Sequence, residues 1–186
     1  LWNPAAGTLV RDIAHPHTDT VTALEFSRGG DRLASGGTDR FVKIHAVADG
    51  ALMKSLEGHT GHVLGVAWQA HGRQLASAGA DSSLKVWNVL AGEQVRTIGG
   101  LKKEVTAVRF LPPGDEAVAS SGDPTVRLYN VANGSVVREF ASPGDFVQAL
   151  AAAGRFLAAG SQDGKLRIWA LADGKLLHTL SPSGSQ

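Results

Sequence analysis

Apolar residues in this chain fall in short alternating runs broken by turn residues, and no stretch keeps up the 3.6-residue stripe of an amphipathic helix. Four kinds of run recur. The first reads VTALEF (Val21 to Phe26), VLGVAW (Val63 to Trp68), VTAVRF (Val105 to Phe110) and VQALAA (Val147 to Ala152), with large apolar residues at positions one, four and six except at Ala152. A step of three followed by a step of two breaks strict alternation and predicts a β-bulge near the start of each strand. The second run is LAS (Leu33 to Ser35 and Leu75 to Ser77), VAS (Val118 to Ser120) and LAA (Leu157 to Ala159), whose small residues predict closely packed sheets. The third alternates cleanly, as in LKVW (Leu84 to Trp87) and LRIW (Leu166 to Trp169), with Lys85 and Arg167 on the side opposite Leu84 and Ile168. The fourth ends in Ile13, Leu56, Ile98, Phe140 and Leu180.

Between the third and fourth runs one turn recurs, PAAGTL, VADGAL, VLAGEQ, VANGSV and LADGKL, and its glycines Gly7, Gly50, Gly92, Gly134 and Gly174 stand 43, 42, 42 and 40 residues apart. Four strands per period of about forty residues predict an all-β chain of four-stranded antiparallel units. The repeats fall at 15–56, 57–98, 99–140 and 141–180, with the end of a preceding repeat at 1–14 and a tail at 181–186. A single unit of this kind cannot bury both faces, so the units must stack as propeller blades.

Composition narrows the function classes. The 186 residues carry 18 basic and 17 acidic side chains, a formal charge of +1, so no strong overall field draws nucleic acid or anionic membrane. Basic residues are scattered and aromatics amount to 6%, which argues against a nucleic-acid surface. The chain has no cysteine, hence no disulfide, thiolate nucleophile or thiolate metal site, and no apolar run approaches the roughly 20 residues of a membrane-spanning helix. A start without Met and in mid-pattern reads as part of a longer chain. The compartment is left open, with a cytoplasmic address preferred to a bacterial periplasm.

The dipeptides Gly58-His59 and Trp87-Asn88, together with Asp39, Asp81, Asp123 and Asp163 in the turn after the second run, give the chain a resemblance to the WD40-repeat family over essentially its whole length. That resemblance implies a β-propeller of four blades plus the last strand of a preceding one. It also implies a structural tetrad, in which a loop His bonds the turn Asp, a second-strand Ser bonds the His, and a third-strand Trp closes the chain. In the second repeat these are His59, Ser77, Asp81 and Trp87. The first keeps His17, Ser35 and Asp39 but has His45 for Trp. Ser120 and Asp123 remain in the third, with Tyr129 for Trp and Leu101 where His would be. The fourth keeps Asp163 and Trp169 but has Ala159 and Pro143.

Ser77, His59 and Asp81 are also the side-chain types of a hydrolase triad. A similar set at His17, Ser35 and Asp39 favours a folding role, and no catalytic residue is assigned. GSQDGKL (Gly160 to Leu166) fails as a phosphate loop, having three residues between its glycines where four are needed and Leu166 where Ser or Thr must hold magnesium. His15, His17, His59 and His62 lack a completing carboxylate or Cys at ligand spacing, so no metal and no cofactor are expected. The Asn133-Gly134-Ser135 glycosylation pattern is accounted for by the recurring turn, and Trp68 by a core position shared with Phe26 and Phe110.

What remains is binding. The resemblance implies a scaffold that presents loops to a protein or peptide in a larger assembly, and it places contacts just before the first strand and just before the turn Asp. Of the residues there, Thr20, Thr38, His62, Glu104, Phe146 and Gln162 offer an anchor or a directed hydrogen bond, with Phe146 the leading apolar anchor. The alternative is an accessory module of a larger bacterial enzyme or cytochrome-bearing protein, suggested by the Ala-, Gly- and Arg-rich wording. The resemblance implies a ring of more than four blades, completed by further blades of the parent chain in preference to a second copy.

Overall fold

The computed structural model describes residues 1–14, 16–141 and 145–181, so His15, Pro143 and the end of the tail lie outside the described residues. Strands β1 (Trp2–Asn3) and β2 (Thr8–Leu9) form a short hairpin, the outer part of a blade. The first full blade contains β3 (Val21–Phe26), β4 (Arg32–Gly37), β5 (Val42–Ala46) and β6 (Leu52–Leu56). In the second, β7 (Val63–Trp68), β8 (Gln74–Gly79), β9 (Leu84–Asn88) and β10 (Glu93–Ile98) repeat the order. Strands β11 (Val105–Leu111), β12 (Glu116–Ser121), β13 (Thr125–Asn130) and β14 (Val136–Ala141) make the third, and β15 (Val147–Ala153), β16 (Phe156–Ser161), β17 (Leu166–Ala170) and β18 (Leu176–Leu180) the fourth. Every sheet is an antiparallel meander, and no helix occurs among the described residues.

Each first strand carries its bulge where the three-then-two spacing puts it, with register shifts at Val21/Ala23, Val63/Gly65, Val105/Ala107 and Val147/Ala149. The glycines of the third-to-fourth turns all have φ between 64° and 78°, the left-handed region open to a residue without Cβ, which is why glycine marks the period.

Blades stack with first strand beside first strand, and each second strand lies under the first strand of the next blade. The small residues of the second run make this approach feasible: a Cβ on Gly36 would fall 2.5 Å from Val63 Cγ1. Three apolar cores result, one per blade boundary. Leu84, Val86 and Ile98 of the second blade meet Val105, Val108 and Tyr129 of the third, for example. Polar ties reinforce two boundaries from the inside. Thr22 Oγ1 donates to Val63 O, and Thr106 Oγ1 donates to Val147 O at 2.6 Å. On the outside Arg11, Arg96 and Arg138 each reach into the next blade's glycine turn, where Arg96 donates to Ala132 O at 2.6 Å and Arg138 to Leu171 O at 2.7 Å.

The outer faces of the first and fourth blades are open. Leu24 is 64% exposed where its equivalents Val66 and Val108 are 2% and 0%, and Leu166 is 39% exposed where Leu84 is 0%. Of the three aromatics that end the first strands, Trp68 is buried and its indole N–H donates to Glu25 O at 3.0 Å, whereas Phe26, at the uncovered end, is half exposed.

Candidate functional site

His59, in the loop before β7, bridges Ser77 on β8 and Asp81 in the turn that follows. Its Nδ1 lies 2.9 Å from Asp81 Oδ2, its Nε2 lies 2.7 Å from Ser77 Oγ, and Trp87 Nε1 donates to that same Oγ at 2.8 Å. Asp81 also accepts from the Thr60 N–H at 2.9 Å and the Ser83 hydroxyl at 2.6 Å. Burial lowers the pKa of His59 against the opposing pull of Asp81, which favours the neutral ring. Burial resists ionisation of Asp81, but the bonds from Ser83, Thr60 and His59 outweigh it and hold the carboxyl below its ordinary range. One proton arrangement then satisfies every contact: Trp87 N–H to Ser77, Ser77 O–H to His59 Nε2, and His59 Nδ1–H to Asp81.

The order Ser, His, Asp is that of a hydrolase triad, yet the surroundings deny it a substrate. Ser77 has no exposed surface, and its lone pair is taken up by the Trp87 indole. In the first blade His17 lies 2.8 Å from Asp39 Oδ1 and 2.8 Å from Ser35 Oγ, with His45 buried where the Trp would stand.

The third and fourth blades hold their Asp differently, through an arginine that the loop-centred sequence reading passes over. Arg167 of β17 donates from Nη1 to Asp163 Oδ1 at 3.1 Å and from Nη2 to Oδ2, a two-point pairing, while its side chain is almost wholly buried. That pairing first, then the Ser161 hydroxyl, holds Asp163 far below the ordinary carboxylate range. Arg127 occupies the same strand position in the third blade, with Nη1 3.9 Å from Asp123 Oδ2 and Nη2 donating to Glu139 at 3.3 Å. Blades with a loop His carry Lys43 or Lys85 at this position, and the blades without one carry arginine. A comparison of the four repeats at that one position contains the signal. Ser120, with no His beside it, bonds Thr106 Oγ1 at 2.8 Å instead, and among the described residues Trp169 Nε1 is buried without a partner, Ala159 offering no hydroxyl.

The loop residues gather at one end of the strands. Residues before the first strand and before the turn Asp are joined within each blade by backbone bonds: Thr38 N–H to Thr20 O at 2.9 Å, Ala80 N–H to His62 O at 2.8 Å, Gly122 N–H to Glu104 O at 2.9 Å, and Gln162 N–H to Phe146 O at 2.9 Å. Across the third boundary, a Cβ on Gly122 would lie 2.8 Å from Phe146 Cε2 and 3.2 Å from Glu104 Cδ, so ring and carboxyl close over the glycine. Phe146 is thus half-buried on its neighbour blade. His62 and Gln162 are exposed, as is Thr20, whose N–H donates to Asp19 at 2.7 Å. Asp19 was not among the expected residues; its carboxyl lies within electrostatic reach of His62 and is held below its ordinary pKa mainly by the Thr20 N–H.

Stacked four-stranded meanders of this geometry define a β-propeller. A family model described as "WD domain, G-beta repeat" matches residues 7–45, 50–88, 92–130 and 134–170, and the chain belongs to the WD40-repeat family. Its fold is similar to that of U3-55K, with a TM-score of 0.84 over 89% of this chain at 24% identity. The chain spans about half of that protein, covering 53% of its length. Comparison with curated proteins gives no match.

Proposed function

We propose that this chain is a non-catalytic WD40 platform whose loop end, carrying Thr20, Thr38, His62, Glu104, Phe146 and Gln162, binds a protein or peptide within a larger assembly. WD40 propellers are generally protein-interaction scaffolds. The observation that carries the reading is the pairing of Phe146 with Glu104 over Gly122, an aromatic anchor beside a directed acceptor on a rigid support. The buried state of Ser77 and Ser35 supports the absence of catalysis.

A photo-reactive benzoylphenylalanine at His62 or Gln162 tests the site in extract of the source cells. Crosslinks in excess of those from a probe at Arg155, at the other end of the strands, support the loop end as the contact. Equal yield from all three positions rejects it.

The open apolar faces at Leu24 and Leu166 support completion of the ring by further blades of the parent chain. They equally suit an accessory module in a larger bacterial protein. Light scattering after size exclusion separates the completions: a folded species near twice 19.3 kDa overturns the parent-chain reading in favour of two copies, whereas an unstable or aggregating chain supports it.

A further inference from the structure

At the end of the strands opposite Phe146, the boundary between the first and second blades opens into a groove of about 320 Å³. Its walls are apolar. Ile44, Met53 and Val89 form them, and Leu90, 87% exposed, stands at the rim with half-exposed Met53 facing solvent as well. The charged residues that line it are all cations, Arg32, Lys54 and Arg73, with no carboxylate among them.

Arg32 is already committed, stacked 4.9 Å over Trp68, donating to Gly72 O at 3.2 Å and paired with Asp31 at 3.5 Å. The other two are not. Among the described residues neither the Lys54 ammonium nor the Arg73 guanidinium has a hydrogen bond or ion pair. Lys54 occupies the position at which Arg11, Arg96 and Arg138 hold the next blade's turn carbonyls, yet it bonds none of them and only lies over Gly92, its Cδ 3.2 Å and its Nζ 3.4 Å from where a Cβ on that glycine would stand. Arg73 also faces a second hollow that it shares with Gln69 and His71, which extends the basic rim outward.

Neighbouring boundaries lack this combination. Between the second and third blades Asp115 stands where Arg73 does, Ala132 replaces Leu90, and Arg96 is drawn into the turn. Between the third and fourth, a groove of about 530 Å³ mixes Glu116 with Arg138 and Arg155.

We infer that the groove between the first two blades is a second binding site, for an extended acidic peptide segment that inserts one large apolar side chain between Met53 and Leu90 and lays carboxylates against Lys54 and Arg73. The apolar side chain supplies affinity through burial, and the two cations set direction and discriminate against basic segments. Because the site lies at the far end of six-residue strands, about 20 Å from the loop end, both sites can be filled at once.

The test is fluorescence anisotropy with a labelled nonapeptide, leucine at its centre and glutamates on both sides, titrated at low salt with the chain in its folded, ring-completed form. Saturable binding is expected, weakened at least tenfold by Arg73→Glu and by Leu90→Asp, and lost when lysines replace the glutamates. Lys54→Met keeps the stem against Gly92 and removes only the charge, so its weakening cannot be ascribed to misfolding. Arg155→Glu leaves the affinity unchanged. No binding at millimolar chain, equal weakening by Arg155→Glu, or equal binding of a peptide with alanine at its centre overturns the inference. None of these readouts depends on the loop end, so either site can fail alone.

Discussion

The second and fourth blades have the same four strands, the same bulge and the same glycine turn, yet they are held by opposite means. In the second blade a hydrogen-bonded chain of four side chains, its histidine neutral and its aspartate ionised, is closed by Trp87, both faces are covered, and Leu84 is fully buried. In the fourth a bidentate ion pair between Arg167 and Asp163 fixes the turn, the Trp169 indole has no acceptor among the described residues, and one apolar face is open. What the blade requires at this corner is therefore a satisfied carboxylate that pins the second turn, and a histidine or an arginine can supply it. The difference lies in what else is satisfied. Histidine passes the connection on to Ser77 and Trp87, whereas arginine ends it at the turn.

The largest contrast should come from apolar burial at matched positions. Leu84→Ala removes a side chain enclosed between two blades and is expected to cost about 2–5 kcal/mol in urea denaturation. Leu166→Ala, at the exposed face, should cost less than about 1 kcal/mol. If the two losses are equal, the fourth blade's face is covered in solution, and the comparison becomes a measure of what covers it.

Next in size is the polar corner. Asp81→Ala leaves the His59 Nδ1–H and the Thr60 N–H without their acceptor and is expected to lower stability by about 1–3 kcal/mol. An unchanged unfolding midpoint would mean that the connected chain in the second blade adds nothing to the fold. The same corner gives acid sensitivity in two stages. Burial depresses His59 below 6.5 in the folded chain, so the unfolded chain takes up the proton first and stability falls as pH drops beneath 6.5. Asp81 and Asp39 are depressed below 3.8, so their contribution persists above that value and is lost as pH falls through their folded pKa. Denaturation midpoints measured from pH 8 to pH 5 should decline, and His59→Gln should flatten the decline. A wild-type profile that is level over this range excludes the buried neutral histidine.

Strand pattern was the most legible part of the molecule. Alternation, bulge spacing and turn glycines are properties of single short segments, and each recurs four times, so local chemistry and periodicity reinforce one another. The residues that join around Ser77 can be named from the resemblance to the WD40 family, whose tetrad falls on His59, Ser77, Asp81 and Trp87 in the second repeat. Arg167 could not be found that way. It does not lie in the loop where a histidine was sought but on the third strand, and only the exchange of Lys43 and Lys85 for Arg127 and Arg167 between repeats points to it. Contacts across blades were harder still. Phe146 meets Gly122 and Glu104 only because stacking brings one blade's loop over the next blade's turn, a distance set by packing that no single repeat encodes. The basic groove at Lys54 and Arg73 is hidden for the same reason, since its two cations come from different blades.

The smallest expected effect is also the most direct test of the contrast between blades. Ala159 on β16 pairs with Arg167 and occupies the place of Ser77, whose hydroxyl receives the Trp87 indole N–H in the second blade. Ala159→Ser adds one oxygen near the unpartnered Trp169 Nε1, and a buried donor that gains an acceptor should raise stability by about 1 kcal/mol. No His is available at that hydroxyl to accept its proton among the described residues, so the gain should stay below what Ser77 contributes beside His59. Equilibrium urea denaturation of the single variant measures the gain, and the indole fluorescence of Trp169 should shift as its N–H is engaged. If the variant is instead destabilised, the corner left by Ala159 is too tightly packed for a hydroxyl, and the fourth blade has closed over its missing bond by moving its strands together.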